Sequence, residues 1–98
     1  PLKLDFQRAF AHFPTGHIAD DRLVTRTAFS RTEGQPWVIY PELRVLISDD
    51  DVRWALTLCE TPRAWGTLKE HLAATLSGRE PWVAGFLATW LVKHGLIE

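Results

Sequence analysis

Apolar residues recur along this chain in two rhythms. Phe6, Ala9, Phe10 and Phe13 follow the i, i+3, i+4, i+7 spacing of one helical face. Asp5 is placed to cap that helix and Pro14 to end it. A helix of some eight residues does not hold alone in water, so Phe6, Phe10 and Phe13 are expected to pack on the domain or dock on another protein. Thr15-Gly16-His17 reads as a turn, and residues 1–21 form an N-terminal helical extension. The period then drops to two. Leu23, Thr25, Thr27 and Phe29 alternate as in a strand, and a polar, glycine-containing loop runs from Ser30 to Pro36. Two apolar segments follow, Trp37-Val38-Ile39-Tyr40 and Arg44-Val45-Leu46-Ile47, joined by Pro41-Glu42 in a tight turn. The pattern predicts a three-stranded antiparallel sheet whose last strand, near Leu43 to Ile47, lies at an open edge.

Helical spacing returns at Ser48, which can cap a helix from Asp49 to Glu60. Asp49, Asp50 and Asp51 sit in its first turn, where the helix dipole favours negative charge. Val52, Ala55, Leu56 and Cys59 are its expected buried stripe. Thr61-Pro62 reads as the cap and first-turn proline of a second helix, with Trp65, Leu68, Leu72 and Leu76 inward and Ser77-Gly78 as its break. Pro81 opens a third helix that runs to His94 and stops at Gly95. Its broad apolar face is Trp82, Val83, Phe86, Leu87, Trp90 and Leu91, beside a strip of mainly small residues, Gly85, Ala88, Thr89 and Val92. A mid-helix glycine costs about 1 kcal/mol relative to alanine. Gly85 is therefore easier to understand if a backbone approaches it, either the domain's own sheet or a partner's peptide. This is the plan of a small α+β winged helix-turn-helix domain: a three-stranded antiparallel sheet packed on three helices, plus a short N-terminal helix.

Ninety-eight residues fit one compact domain, placed at residues 22–98. With 46% hydrophobic residues, five Trp and five Phe, the chain can fill a core without disulfides or a structural metal. Cys59 is the single cysteine, which fits a reducing, cytoplasmic setting. No apolar run approaches the roughly 20 residues of a membrane span. Eleven Lys plus Arg stand against 12 Asp plus Glu, without the basic stripe that a duplex-binding module carries. The third helix offers Lys93 and His94, both at its end, for reading bases.

Candidate chemistry is sparse. His12 and His17 have no Cys, Asp or Glu at a zinc-binding spacing around them. His71 falls on an outer helical face, and His94 can serve a helix end. Asp49, Asp50 and Asp51 suit a helix cap better than a cation site. Cys59 lies in a buried stripe, away from any helix N-terminus that would activate it. The tryptophans fall at helical spacing, as core residues do, rather than as a platform for bases. No catalytic residues, cofactor or metal are expected, and the reading is a binding protein rather than an enzyme.

Several segments together carry a family resemblance: Trp37-Val38-Ile39-Tyr40-Pro41-Glu42, Val45-Leu46-Ile47, Leu56-Thr57-Leu58-Cys59-Glu60 and the run from Phe86 to Ile97. In the predicted order of strands and helices, they resemble PqqD-like domains, also called RiPP recognition elements, over residues 22–98. The resemblance implies a non-catalytic protein that binds the leader of a ribosomally made precursor peptide. It would present that leader to a peptide-modifying enzyme, metal-dependent or otherwise, as a small partner subunit. The leader would add as a strand along Arg44, Val45, Leu46 and Ile47 and pack against Gly85, Phe86, Thr89, Trp90 and Lys93. Main-chain bonds would give affinity and side-chain pockets selectivity. This chain departs from the family in two places. Thr61-Pro62-Arg63 stands where the family often has a glycine-containing turn, and the phenylalanine-rich start lies outside the usual domain, where it could dock a partner, cover the sheet or fill the cleft. The alternatives are a winged-helix DNA-binding regulator and an accessory domain of a cupin-type or other metal-dependent oxygenase.

Overall fold

The computed structural model describes residues 18–76 and 78–98. The expected phenylalanine helix, with Phe6, Phe10 and Phe13, lies outside them, as do His12 and His17. In the described residues a short strand β1 (Leu23–Val24) is followed by single 3-10 turns at Phe29–Arg31 and Pro41–Leu43. Then come helix α1 (Asp49–Leu58), strand β2 (Arg63–Ala64), helix α2 (Trp65–Thr75) and helix α3 (Trp82–Lys93).

Helix α1 forms where its local signals place it. The Ser48 hydroxyl accepts from the Asp51 N–H at 3.2 Å, and the Asp51 carboxylate accepts from the Ser48 N–H at 2.7 Å. This reciprocal capping box satisfies two backbone donors that would otherwise lack partners. Val52, Ala55, Leu56 and Cys59 are buried, as are Trp65, Leu68, Leu72 and Leu76 from the second helical region. Helix α3 is the centre of the core: seven of its twelve residues are buried, among them Phe86, Leu87, Trp90 and Leu91. Gly95 ends it with φ +69°, a conformation that glycine adopts without a Cβ penalty.

The expected three-stranded sheet is not present. Among the described residues the sheet has two antiparallel strands, β1 and β2, in the register Leu23↔Ala64 and Val24↔Arg63. The alternating set Leu23, Thr25, Thr27 and Phe29 does not face the core. Val24 is buried, whereas Leu23 is 62% and Phe29 51% exposed, so the core takes the even position and the chain turns at Phe29–Arg31. A slip of one residue reverses every side chain of a strand.

The hairpin of residues 37–40 with 44–47 does not form. Residues 44–46 are a turn, tied by Leu43 N–H to Tyr40 O (2.9 Å), Leu46 N–H to Leu43 O (2.9 Å) and Ile47 N–H to Leu43 O (3.1 Å). A strand would place Leu43, Val45 and Ile47 on one face. Instead Leu43 and Ile47 are buried and Val45 is 72% exposed, the i, i+4 spacing of a helical turn. Short-range bonds and burial at helical spacing have displaced the ladder.

The β partners come from segments read as helix or terminus. The second helix begins at Trp65, not at Pro62, because residues 63–64 pair with β1. Two of α2's first N–H groups are satisfied by that neighbouring chain, Trp65 N–H by Arg22 O (2.8 Å) and Gly66 N–H by Asp20 O (2.9 Å). On β1's other side Thr25 exchanges backbone bonds with Glu98 at 2.9 and 3.0 Å, Thr27 N–H reaches Leu96 O, and Arg26 bridges Ile97. Strand β1 and its continuation to Thr27 are therefore flanked on both sides by the chain itself.

These assignments set a hierarchy of stabilities. Leu87→Ala, which opens a cavity at a fully buried position, is expected to cost about 2–5 kcal/mol. Ser48→Ala, which removes a helix cap, costs about 1 kcal/mol. Urea unfolding of both variants beside the parent checks the order.

Candidate functional site

Residues 37–40 are the feature of the described structure that most resembles an unfinished binding edge. Trp37 and Ile39 point into the core while Val38 and Tyr40 stand out, 70% and 61% exposed. This is strand-like alternation, yet the segment belongs to no sheet. Its only main-chain hydrogen bonds to described residues are at its ends. Trp37 O accepts from the Gln35 side-chain amide at 3.3 Å, and Tyr40 O accepts from Leu43 N–H. The N–H groups of Val38, Ile39 and Tyr40 and the carbonyls of Val38 and Ile39 have no partner among the described residues.

What keeps this segment in place is the first turn of α1. The Asp49 carboxylate accepts from the Trp37 indole N–H (3.2 Å) and the Gln35 amide (3.2 Å) on one oxygen, and from Arg44 (3.3 Å) on the other. Gln35 is held in turn by Arg53 at 2.9 Å. The following turn is tied by Arg79, which donates to Leu46 O at 2.9 Å and to the Asp51 carboxylate at 2.6 Å. Two acids of the first turn, Asp49 and Asp51, thus fix both ends of an apolar loop. Burial would raise the Asp49 carboxyl, but hydrogen bonds from Trp37 and Arg44 and the Arg44 charge outweigh it and hold the group below the usual aspartate range. Asp51 is governed in the same way: burial opposes ionisation, while Arg79 and the Ser48 N–H favour it and prevail.

The residues expected to receive a peptide are dispersed. Arg44, Val45 and Leu46 lie in the turn and Ile47 is buried just before α1, so this stretch offers no strand. Phe86 and Trp90 are core residues of α3, 6% and 1% exposed, while Gly85 and Thr89 are half-buried and Lys93 is exposed at the helix end. A Cβ on Gly85 would meet no atom within 4 Å. No backbone of the described residues therefore explains this glycine. The strand-like alternation of residues 37–40 was visible in the sequence; their lack of a partner was not. Gln35, Asp49 and Arg79 gave no sequence signal as tethers, because their roles depend on contacts 12–33 positions away in the chain.

The reactive candidates have structural roles. Burial pushes the Cys59 thiol up to about 11 against the opposing charge of Arg63, so it remains a thiol near neutrality. His71 Nδ1 lies 3.2 Å from Arg63. His94 packs 4.4 Å from the Trp90 ring, and burial with the Lys93 charge lowers its pKa. Among the described residues no group of three or more His, Cys, Asp or Glu could hold a metal ion, and no helix is long and apolar enough to cross a membrane.

Comparison with known proteins adds no assignment: no family model, curated protein or solved structure matches the chain.

The tethers give acid sensitivity a definite direction. Asp51 has a lowered carboxyl pKa in the fold, so its contribution is complete above the unfolded value, about 3.9, and is lost as pH falls through the folded value. Asp51→Asn is expected to lower the urea midpoint at pH 7. Its deficit against the parent should shrink steadily as the pH is brought below 4, and a deficit independent of pH would contradict the assignment.

Proposed function

We propose that this chain is a non-catalytic recognition protein that captures an extended peptide, with a precursor leader as the class of partner that the family resemblance suggests. The carrying observation is the 37–40 segment, a strand in side-chain alternation whose inner main-chain groups have no partner among the described residues. Arg44–Ile47 is not used in this reading, since that stretch is a turn.

The physics of such capture follows from the geometry. Trp37 and Ile39 are fixed in the core and Asp49 secures the Trp37 indole, so the loop has already lost much of the freedom that ordering on binding would remove. A peptide running alongside would exchange main-chain hydrogen bonds with Val38 and Tyr40. Its outward side chains would meet Val38, Tyr40 and, across the turn, Val45. This is strand addition in its usual division of labour, with backbone pairing for affinity and alternate side chains for selectivity.

The helix that would read bases in a DNA-binding relative favours the peptide reading. Most of α3 is turned into the core, and the polar side chains needed in a major groove are absent from it apart from Thr89 and Lys93.

A display library of linear twelve-residue peptides, panned on the folded protein, tests the proposal. Enriched sequences are expected to alternate apolar and polar residues, to perturb the amide resonances of Val38, Ile39 and Tyr40, and to lose at least about tenfold in affinity against Val38→Pro, which deletes one exposed donor. Tyr40→Ser should weaken binding less. Enrichment that Val38→Pro leaves untouched, or no enrichment, would overturn it.

A further inference from the structure

The main-chain groups of residues 37–40 divide between two edges. In an extended segment the N–H and C=O of one residue point to the same side, and those of the next residue point to the other. Trp37 and Ile39 therefore serve one edge, Val38 and Tyr40 the opposite one. The first edge is obstructed. The Gln35 side-chain amide sits on it, donating to Trp37 O at 3.3 Å, and is itself held by the Asp49 carboxylate and by Arg53. The second edge has one position closed, since Tyr40 O accepts from Leu43 N–H at 2.9 Å. Pro36 and Pro41, on either side, contribute no N–H. What the Val38 and Tyr40 edge offers is two donors, their N–H groups, and one acceptor, Val38 O, none with a partner among the described residues.

This inventory fixes what a partner must bring. A chain lying beside the edge meets the two donors with carbonyls of two residues separated by one other, and the C-terminal residue of that pair also donates its N–H to Val38 O. The requirement is the same for antiparallel and parallel alignment. The residue between them turns its own N–H and C=O away, so no donor is needed there. Proline suits that place for two reasons. It lacks only the N–H that goes unused, and it drives the residue before it into extended backbone, so less freedom is lost on pairing. Pro41 stands in the same relation to Tyr40 in this chain, where Tyr40 is extended at φ −62° and ψ 147°.

We propose that residues 37–40 select an antiparallel extended peptide with proline in the middle of the paired triplet and an apolar residue on either side. The two flanking side chains then lie on the outward face, against the exposed Val38 and Tyr40, and proline takes one of the intervening positions of an alternating peptide. This rests on strand capture and adds to it the chemistry of the partner: two carbonyls, one N–H and a proline.

Acetyl-Thr-Val-Pro-Val-Thr amide is the probe, followed at millimolar concentration through the amide resonances of Val38 and Tyr40 in the ¹⁵N-labelled chain. A saturable shift of both is expected. Replacing the N–H of the probe's second valine by an ester oxygen removes the donor without adding bulk, and should weaken binding at least about fivefold. The same replacement at the first valine, whose N–H meets only the occupied Tyr40 O, should change it by less than about twofold. Alanine in place of the probe's proline should cost about two- to fivefold. Equal effects of the two esters, loss from the first alone, or binding as tight with alanine as with proline would each overturn the inference. So would a silent probe beside library peptides whose capture is lost in Val38→Pro, an outcome that leaves strand capture standing, whereas a library without enrichment overturns both.

Discussion

The first turn of α1 is the constraint on which the described structure turns. A helix N-terminus presents unpaired N–H groups and a partial positive charge, and this chain answers with Ser48, Asp49 and Asp51. The acids do more than satisfy the helix. Asp51 completes the capping box and also holds Arg79, while Asp49 gathers Trp37, Gln35 and Arg44. One short acidic run therefore joins the loop before α1, the helix itself and the segment leading into α3. A surface ion pair by itself contributes little. Here the carboxylates are partly shielded and each meets several donors, which is the circumstance in which such contacts fix a conformation.

That anchoring explains how an apolar loop can stay extended without a sheet. Trp37 and Ile39 supply burial, Asp49 supplies direction, and the 3-10 turn from Pro41 diverts the chain before it can fold back as a hairpin. What remains is a stretch whose inner main-chain groups have no partner among the described residues, in a chain whose strand β1 is flanked on both sides. Thr25, Thr27 and Arg26 are paired by the end of the chain and by Cys59, and Arg22 by the start of α2. Unpaired strand edges are a hazard that proteins cover or use. The closure of β1 and the openness of residues 37–40 are the two responses within one small fold.

Helix α3 divides the surfaces in a complementary way. It turns seven of its twelve residues into the core, and its half-buried side, with Trp82 and Gly85, borders the cleft shared with α2.

The helices were legible in the sequence because their causes are local. The Ser48 cap, the i, i+3, i+4 stripes of Val52, Ala55, Leu56 and Cys59, and the glycine after His94 act within a few residues, and the structure places helices there. The strands were not, because two-residue pairings are decided by what lies opposite. Nothing in Arg63-Ala64 or Leu96-Ile97 announces a strand until Arg22 to Thr27 runs between them, and the hydrophobic alternation of residues 37–47 fits a hairpin until Leu43 and Ile47 are seen to share one buried side. The sequence by itself determined three amphipathic helices, the Ser48 cap of the first, the glycine end of the third and most of their inward faces. Only the tertiary structure decided which extended segments pair and which stay open, since backbone hydrogen bonds are alike at every residue and long-range packing chooses among them.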